Sequence, residues 1–161
     1  MIVKNADEGQ EPSVTSAKVQ ELNTGLLLYI PYRAMENKVF AAVAAAGFDD
    51  MTVARGRVFQ RIGPAGTRLT DLAEQAQVTK QAAGALVDEL ERAGYVTRRP
   101  DPTDNRARLV CIAERGRAAI EVASKVVAEV EAEWTRHVGV QRMERLRETL
   151  MKLREITDPY Q

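Results

Sequence analysis

The sequence of 161 residues predicts a mainly α-helical protein with one small β-hairpin, an α+β fold class. Apolar residues recur every three or four positions through the first and the last third of the chain. In the middle third, two short helical segments joined by a tight turn are followed directly by two strand-like segments. Apolar residues make up 45% of the chain and charged residues 29%, which is typical of a folded globular protein rather than a disordered one.

One long helix is predicted first, after a polar N-terminal segment that we expect to be mobile. Its apolar face consists of residues at near-helical spacing up to Gly47, namely Val19, Leu22, Leu26, Ile30, Met35, Val39 and Val43. Pro31 lies inside this pattern. Because proline removes a backbone hydrogen bond and clashes with the preceding turn, we expect a bend near Leu27–Pro31.

Three further helices are expected outside the central motif. A second helix of about ten residues would end at Gly63 and Pro64. Its candidate caps are Asp49, Asp50 and Thr52, and its inner face would carry Val53, Val58 and Ile62. Two amphipathic helices close the chain on either side of Gly139, with apolar faces formed by Ile120, Ala123, Val126, Val127, Val130 and Trp134, and then by Val140, Met143, Leu146, Leu150 and Leu153.

The central motif combines a helix pair with a hairpin. Thr70 is expected to cap a short helix, Asp71–Gln77, and Thr79 to cap a longer one, Lys80–Ala93, which Gly94 terminates. The segments Tyr95–Arg99 and Ala107–Ile112 are strand-like, and Pro100–Asn105 between them is dense in turn formers, which predicts a hairpin with a long polar tip. This order is that of a winged helix-turn-helix, in which the second helix enters the major groove of DNA while the hairpin reaches the neighbouring minor groove.

The charge distribution agrees with a nucleic-acid-binding centre. Residues 55–117 contain twelve Lys or Arg against eight Asp or Glu, whereas residues 1–54 contain four against seven and residues 118–161 contain seven against eight. A positive centre between negative ends is expected of a phosphate-binding lobe on a scaffold that does not bind DNA. Chance unevenness in a chain of zero net charge is the alternative.

These residues resemble the MarR family of transcription regulators. The resemblance runs from about residue 20 to residue 157 and is carried by Leu69–Glu74, Leu86–Val96, Arg98, Arg99, Asp101, Pro102, Asp104, Arg106 and Gly116. The Arg-Arg-Pro-Asp-Pro-x-Asp-x-Arg hairpin is its most specific part. The resemblance implies a homodimer in which terminal helices of two chains interlock and two winged lobes bind a pseudo-palindromic operator as double-stranded DNA. It divides the chain into a mobile N-terminus (1–16), a first dimerisation helix (17–47), a DNA-binding lobe (48–113) and C-terminal dimerisation helices (114–161).

Candidate DNA-binding residues lie first on the recognition helix. Ala83, Leu86, Val87 and Leu90 form the stripe that packs inward, and Lys80, Gln81, Gly84 and Ala85 face away from it. Lys80 can reach a guanine edge or a phosphate, and Gln81 can form two hydrogen bonds with adenine. Thr79 belongs to the same turn. Family members often carry Ser, Thr or Arg where this chain has Gly84 and Ala85, so readout by the wing and by DNA shape is expected to weigh more.

In the wing, Arg106 is the candidate for insertion into a narrow minor groove, where the negative potential is concentrated. The resemblance assigns Asp104 the role of holding such an arginine, and a simple Asx-turn is the alternative for Asp104. Arg98, Arg99 and Arg108 would contact the DNA backbone beside it. For Arg108, an ordinary charge on a strand face is the alternative.

Family members commonly release DNA when a small, often phenolic, molecule binds between the dimerisation helices and the DNA-binding lobe. In this chain the resemblance places Tyr29, Tyr32, Arg33, Met51 and Arg55 in that region. Aromatic rings beside arginines would suit an aromatic carboxylate as the effector. Alternatively, Tyr29 and Met51 are plain core residues and the two arginines form ion pairs.

Other functions have little support in the sequence. Cys111 is the only cysteine and His137 the only histidine, which leaves few ligands for a metal, and we expect no metal or cofactor. Cys111 in an apolar strand resembles a buried filler more than an activated thiolate, although redox sensing through it remains an alternative.

No phosphate-binding glycine loop or nucleophile motif indicates an enzyme. A helical protein-interaction module would leave the basic hairpin unexplained. Without a signal peptide or a long apolar run, we expect a cytoplasmic protein that is not bound to a membrane.

Overall fold

The computed structural model of the protein describes residues 22–158. The expected mobile N-terminus and Val19 lie outside the described residues. The described elements are α1 (Thr24–Ala45), α2 (Val53–Phe59), β1 (Thr67–Arg68), α3 (Leu69–Gln75), α4 (Lys80–Arg92), β2 (Val96–Asp101), β3 (Asp104–Ile112), α5 (Glu114–Val138) and α6 (Val140–Thr157). This is the mainly helical fold with a small sheet that the sequence predicts.

The long helices at both ends follow the predicted pattern. The side chain of Asn23 caps α1 by accepting a hydrogen bond from the backbone N–H of Leu26, and α1 continues through Pro31. Gly139, at φ +89°, separates α5 from α6, because glycine adopts this left-handed backbone without steric cost. Within residues 22–158, no helix is both long enough and apolar enough to cross a membrane.

Two details of the short helices differ from the sequence expectation. Helix α2 has seven residues rather than about ten, and its Val53 is exposed while Phe59 is buried. Thr52 is its cap, accepting a hydrogen bond from the N–H of Arg55. Thr70 does not cap α3, because α3 already begins at Leu69, with Arg68 as a cap residue that makes no side-chain capping bond.

The sheet has three strands rather than the two of the predicted hairpin. All pairings are antiparallel in the order β1-β3-β2, with Thr67 opposite Val110 and Val96 opposite Ile112. The tip is shorter than expected, because β2 extends to Asp101 and β3 begins at Asp104. The two-residue strand β1 has too few positions to show an alternating pattern in the sequence.

The core of the lobe lies between the sheet, α2, α3, α4 and the start of α5. Its most completely buried large side chains are Val58, Leu72, Val87, Leu90, Tyr95 and Val110. Gly116 lets α5 approach the sheet closely: a Cβ atom there would lie 2.3 Å from the carbonyl oxygen of Tyr95 and 3.0 Å from the ring of Phe59. Any larger residue would force the start of α5 away from the lobe.

Candidate DNA-binding surface and effector cavity

The N-terminal turn of α4 presents polar side chains on the surface of the lobe. Thr79 accepts a hydrogen bond from the N–H of Ala82 at 3.1 Å and so fixes where α4 begins. Lys80 and Gln81 follow and are exposed, while Ala83, Val87 and Leu90 are buried against the lobe. The apolar stripe of α4 packs inward, as expected from the sequence. The opposite face of α4, with Lys80 and Gln81, is therefore exposed to solvent.

Gly84 occupies the edge of that outward face. It is half-buried, and a Cβ atom at this position would lie 3.8 Å from Cδ2 of Leu69, an ordinary van der Waals distance. The glycine is therefore not required by packing. Its bare backbone leaves the middle of α4 open where a side chain would otherwise project.

The wing turn is held by a buried carboxylate that the sequence expectation did not single out. Asp101 is 4% exposed and accepts hydrogen bonds from the N–H and the hydroxyl of Thr103 at 2.8 and 2.7 Å. It also accepts one from Nε of Arg68 at 2.7 Å. The bonds from Thr103, aided by the Arg68 guanidinium, lower the pKa of Asp101 to about 2. The Asp101 carboxylate therefore stays ionised, and its bond with Arg68 holds the wing tip against strand β1.

Three arginines of the wing point into solvent. Arg99, Arg106 and Arg108 are exposed, and within residues 22–158 no hydrogen bond or ion pair occupies their guanidinium groups. Arg106 and Arg108 are two residues apart on β3 and so lie on the same face. Asp104 accepts a hydrogen bond at 3.0 Å from the backbone N–H of Arg106, not from its guanidinium. This is the Asx-turn alternative, and it leaves the Arg106 side chain free to reach outward.

Arg98 is placed differently from the other wing arginines. Its guanidinium pairs with Asp88 at 2.5 Å and with Glu91, and only 25% of its side chain is exposed. The backbone N–H of Arg98 also donates to Glu91 at 3.1 Å. Arg98 thus connects strand β2 to α4, which fixes the wing relative to that helix. An expected contact between Arg98 and the DNA backbone would compete with these carboxylates.

A polar junction connects the lobe to α5. Asp50 accepts hydrogen bonds from the hydroxyl of Tyr95 at 2.5 Å and from both terminal nitrogens of Arg115 at 2.9 Å. Arg115 also donates to the carbonyl oxygen of Ala93 at 2.8 Å and lies 4.4 Å from the centre of the Tyr95 ring. Burial opposes ionisation of Asp50, but the bonds from Tyr95 and Arg115 outweigh it and lower the pKa of Asp50. Burial and Asp50 together raise the pKa of Tyr95.

The junction extends to α4 through Arg55. This side chain donates to the backbone carbonyl of Asp50 and, through Nε, to Glu89 of α4 at 2.9 Å. The start of α5, the α1–α2 connection and α4 are therefore linked by one continuous set of charged hydrogen bonds. Sequence patterns identified Asp50 only as a candidate cap, since partners 45 and 65 residues away leave no local signal.

A cavity of about 590 Å³ lies between α1, α2 and α5. Tyr32 and Met51 line it, as expected for an effector site. Tyr29, Arg33 and Arg55 do not line it: Arg33 donates to the hydroxyl of Tyr29 at 3.1 Å on the exposed face of α1, and Arg55 belongs to the junction. The expected pairing of aromatic rings with these two arginines is therefore not formed in this cavity.

Cys111 is half-buried in β3 and packs against the backbone of the loop before β1. A Cβ atom at Gly66 would lie 2.6 Å from its Sγ atom, so the loop approaches the thiol closely at a glycine with φ +91°. This placement agrees with the interpretation of Cys111 as an apolar filler.

One comparison with protein families concerns the lobe. Residues 49–107 match the model of the MarR family. The winged lobe of this chain is similar to the MarR family of transcriptional regulators. The match covers α2, the helix pair and most of the wing, and it confirms the resemblance seen in the sequence. A search among curated proteins found no match.

Solved structures extend the likeness beyond the winged lobe. E. coli MarR in its apo form is 23% identical, with 83% of this chain and 98% of that chain covered and a TM-score of 0.65. An S. aureus MepR variant bound to an oligodeoxyribonucleotide is 19% identical, covering 86% and 100%, with a TM-score of 0.55. A Mycobacterium tuberculosis MarR family protein in complex with salicylic acid is 26% identical, covering 83% and 98%, with a TM-score of 0.60. The terminal helices thus share the overall MarR fold.

Proposed function

We propose that the protein is a homodimeric transcription regulator that binds a pseudo-palindromic DNA operator, with α4 in the major groove and the wing in the minor groove. The observation that carries this proposal is the wing, where three exposed arginines project from the two strands that flank a turn held by buried Asp101. A rigid support reduces the ordering entropy that each arginine would lose on binding DNA. The S. aureus MepR variant, solved with DNA, supports the same use of the fold.

The proposed DNA contacts divide into two kinds. Lys80 and Gln81, held at the start of α4 by the Thr79 cap, would meet base edges or phosphates in the major groove. Arg106 would enter the minor groove, with Arg99 and Arg108 at the backbone beside it. Gly84 presents no side chain, which leaves room for α4 to approach the groove closely. We assign Arg98 to positioning the wing rather than to contacting DNA, because two carboxylates already neutralise it.

A dimer is supported by exposed apolar side chains on the terminal helices. In α1, Leu27 and Ile30 are about half exposed, and in α6, Met151 and Ile156 are exposed by 61% and 82%. Side chains of this size on two helices form an apolar surface that a second copy of the chain would cover. The two lobes of the dimer would then bind two half-sites.

We further propose that the protein is a repressor that releases DNA when a small molecule occupies the cavity between α1, α2 and α5. The cavity joins a helix of the proposed dimer interface to the core of the lobe through Met51 and Phe59. A ligand there would favour one orientation of the lobe over another, which is the differential affinity that regulation requires.

The test of DNA binding uses the promoter DNA that flanks the protein's own gene, searched for an inverted repeat. The purified full chain should bind that repeat more tightly than a scrambled duplex of the same composition. The logarithm of its affinity should fall linearly with the logarithm of the salt concentration. Binding that is equally tight to both duplexes, or absent at low salt, would exclude a sequence-specific regulator.

The dimer is tested by sedimentation of the full chain and of a chain that lacks residues 140–161. The full chain should sediment as a dimer. The shortened chain should lose the dimer and bind the full operator no more tightly than a single half-site, because two linked contacts gain affinity through effective concentration. A folded, monomeric full chain would contradict the proposal.

A further inference from the structure

The effector cavity carries charges that point to a particular class of ligand. Most of its wall is apolar, with Met35, Val39, Val43, Met51, Phe59 and Ile120 among the lining residues. The charged side chains on the wall are two carboxylates, Glu36 and Glu131, and one guanidinium, Arg57. A volume of about 590 Å³ is in the range of sites for drug-sized molecules.

Glu36 is an incompletely neutralised carboxylate inside this wall. Only 12% of its side chain is exposed. The hydroxyl of Tyr32 donates to it at 3.1 Å, and Nε of Arg57 lies 3.6 Å away, beyond hydrogen-bonding distance. Arg57 itself is 57% exposed, so water weakens its attraction for Glu36. An ionised carboxylate can accept about four hydrogen bonds, and a carboxylate held away from water favours a closer positive partner.

The remaining charges of the wall disfavour an anionic ligand. Glu131 is a second carboxylate, and it pairs with Arg147 of α6 at 2.8 Å. It therefore provides no positive charge that could bind an anion. The carboxylate of an aromatic acid would have to draw Arg57 away from Glu36 and leave that carboxylate with one neutral donor. The carboxylate of the ligand would also lie near the carboxylate of Glu36, and repulsion between like charges disfavours that arrangement.

We propose that the cavity binds a lipophilic cation, an aromatic molecule with a positively charged ammonium or onium group, and that Glu36 is its counter-ion. The aromatic rings of Tyr32, Phe40 and Phe59 on the same wall offer π-faces to the cation and apolar area to its body. The inference concerns the ligand class of the cavity named in the proposed function, and it rests on that function only for the effect of the ligand on DNA binding.

The test uses two probes of the same shape and opposite charge, tetraphenylphosphonium and tetraphenylborate, with salicylate as a third. Binding to the full chain without DNA is measured by isothermal titration calorimetry. Tetraphenylphosphonium should bind at least about tenfold more tightly than either anion, since one close charge pair contributes about 1.4 kcal/mol or more. Equal or tighter binding of either anion would overturn the proposal.

Two variants of opposite expected effect separate a counter-ion from a merely structural residue. Glu36→Gln should weaken tetraphenylphosphonium binding about tenfold. Arg57→Gln, which removes the competing cation, should strengthen it. Glu133→Gln is the matched control, because Glu133 pairs with Lys38 at 2.7 Å and does not line the cavity. Unchanged cation affinity in a folded Glu36→Gln protein, checked by circular dichroism, would refute the assignment of Glu36.

DNA release is then measured separately with the operator duplex. Cation binding that depends on Glu36 but does not release DNA would support the ligand class and refute the regulatory role in the proposed function. A protein that binds DNA but shows no cation binding would refute the ligand class alone.

Discussion

Replacing Arg115 by alanine should destabilise the protein by breaking the polar junction between the lobe and α5. The substitution removes two charged hydrogen bonds to Asp50, one to the carbonyl oxygen of Ala93, and the stacking of the guanidinium on Tyr95. It also leaves Asp50 with Tyr95 as its only remaining side-chain donor among the described residues. No nearby cation of this part of the structure is placed to substitute, because Arg55 contacts only the backbone carbonyl of Asp50.

The magnitude follows from these contacts. A hydrogen bond to a charged group contributes about 1.5–3 kcal/mol when buried, but both partners here are 35% exposed, so we take about 1.5 kcal/mol for the pair with Asp50. A partly exposed cation–π contact adds about 0.5–1 kcal/mol. The sum is about 2–2.5 kcal/mol. For a chain of this length, 1 kcal/mol corresponds to about 2–4 °C, so the melting temperature should fall by about 4–10 °C.

The measurement is thermal unfolding followed by circular dichroism at one fixed protein concentration, since association raises the apparent stability of a dimer. Arg117→Ala is the matched control. Arg117 is an exposed arginine on the same turn of α5 that donates a single hydrogen bond, to the carbonyl oxygen of Ile112 at 3.0 Å. Its removal should cost less than about 1 kcal/mol. If Arg115→Ala melts within 1–2 °C of Arg117→Ala, by the same size scaling, the junction contributes little and the reasoning is wrong.

Four further predictions concern the lobe itself. Arg106→Ala should weaken operator binding by about 1–3 kcal/mol in a folded dimer, measured by fluorescence anisotropy. If the effect is no larger than that of Arg108→Ala, the assignment of Arg106 to the minor groove is wrong. Lys80→Ala should reduce the salt slope of binding by about one unit if Lys80 meets only phosphate, so an unchanged slope would indicate a different contact. Because the pKa of Asp101 is lowered from 3.8 to about 2, the stabilisation it provides is present above about pH 4 and is lost as the pH falls toward 2. In Asp101→Asn, the free energy of unfolding measured with urea should therefore depend less on pH over that interval. The same pH dependence in the variant and the original protein would contradict this role. Gly84→Ala should raise stability by about 0.5–1 kcal/mol, because the added methyl group meets only Leu69 at van der Waals distance, and destabilisation would show that this space is not available.

The sequence by itself determined the elements whose signals are local. Helix α4 was predicted from its Thr79 cap, its inward stripe and Gly94, and the structure ends it one residue earlier than expected, at Arg92. The hairpin was predicted from two strand-like runs around a dense turn. Each of these signals arises among residues fewer than about twenty positions apart, where capping, periodicity and turn chemistry act directly on the chain.

The sequence was less reliable where local signals compete. Thr70 has the residue type of a cap, but pairing of Thr67 and Arg68 with β3 starts α3 at Leu69, two residues too early for Thr70 to serve. The wing tip was expected to be long because Pro100–Asn105 is rich in turn formers. Cross-strand pairing extends both strands into that segment and leaves two residues between them.

Only the tertiary structure decided which charges are neutralised. Arg98, Arg106 and Arg108 are alike in sequence, yet the fold brings Asp88 and Glu91 to Arg98 and leaves Arg106 and Arg108 in solvent. The packing of the helices likewise leaves Arg33 and Arg55 outside the cavity and places Glu36 in the cavity wall. The physical reason is that the partners of these arginines are set by how the helices and strands pack against one another, which no local sequence pattern records.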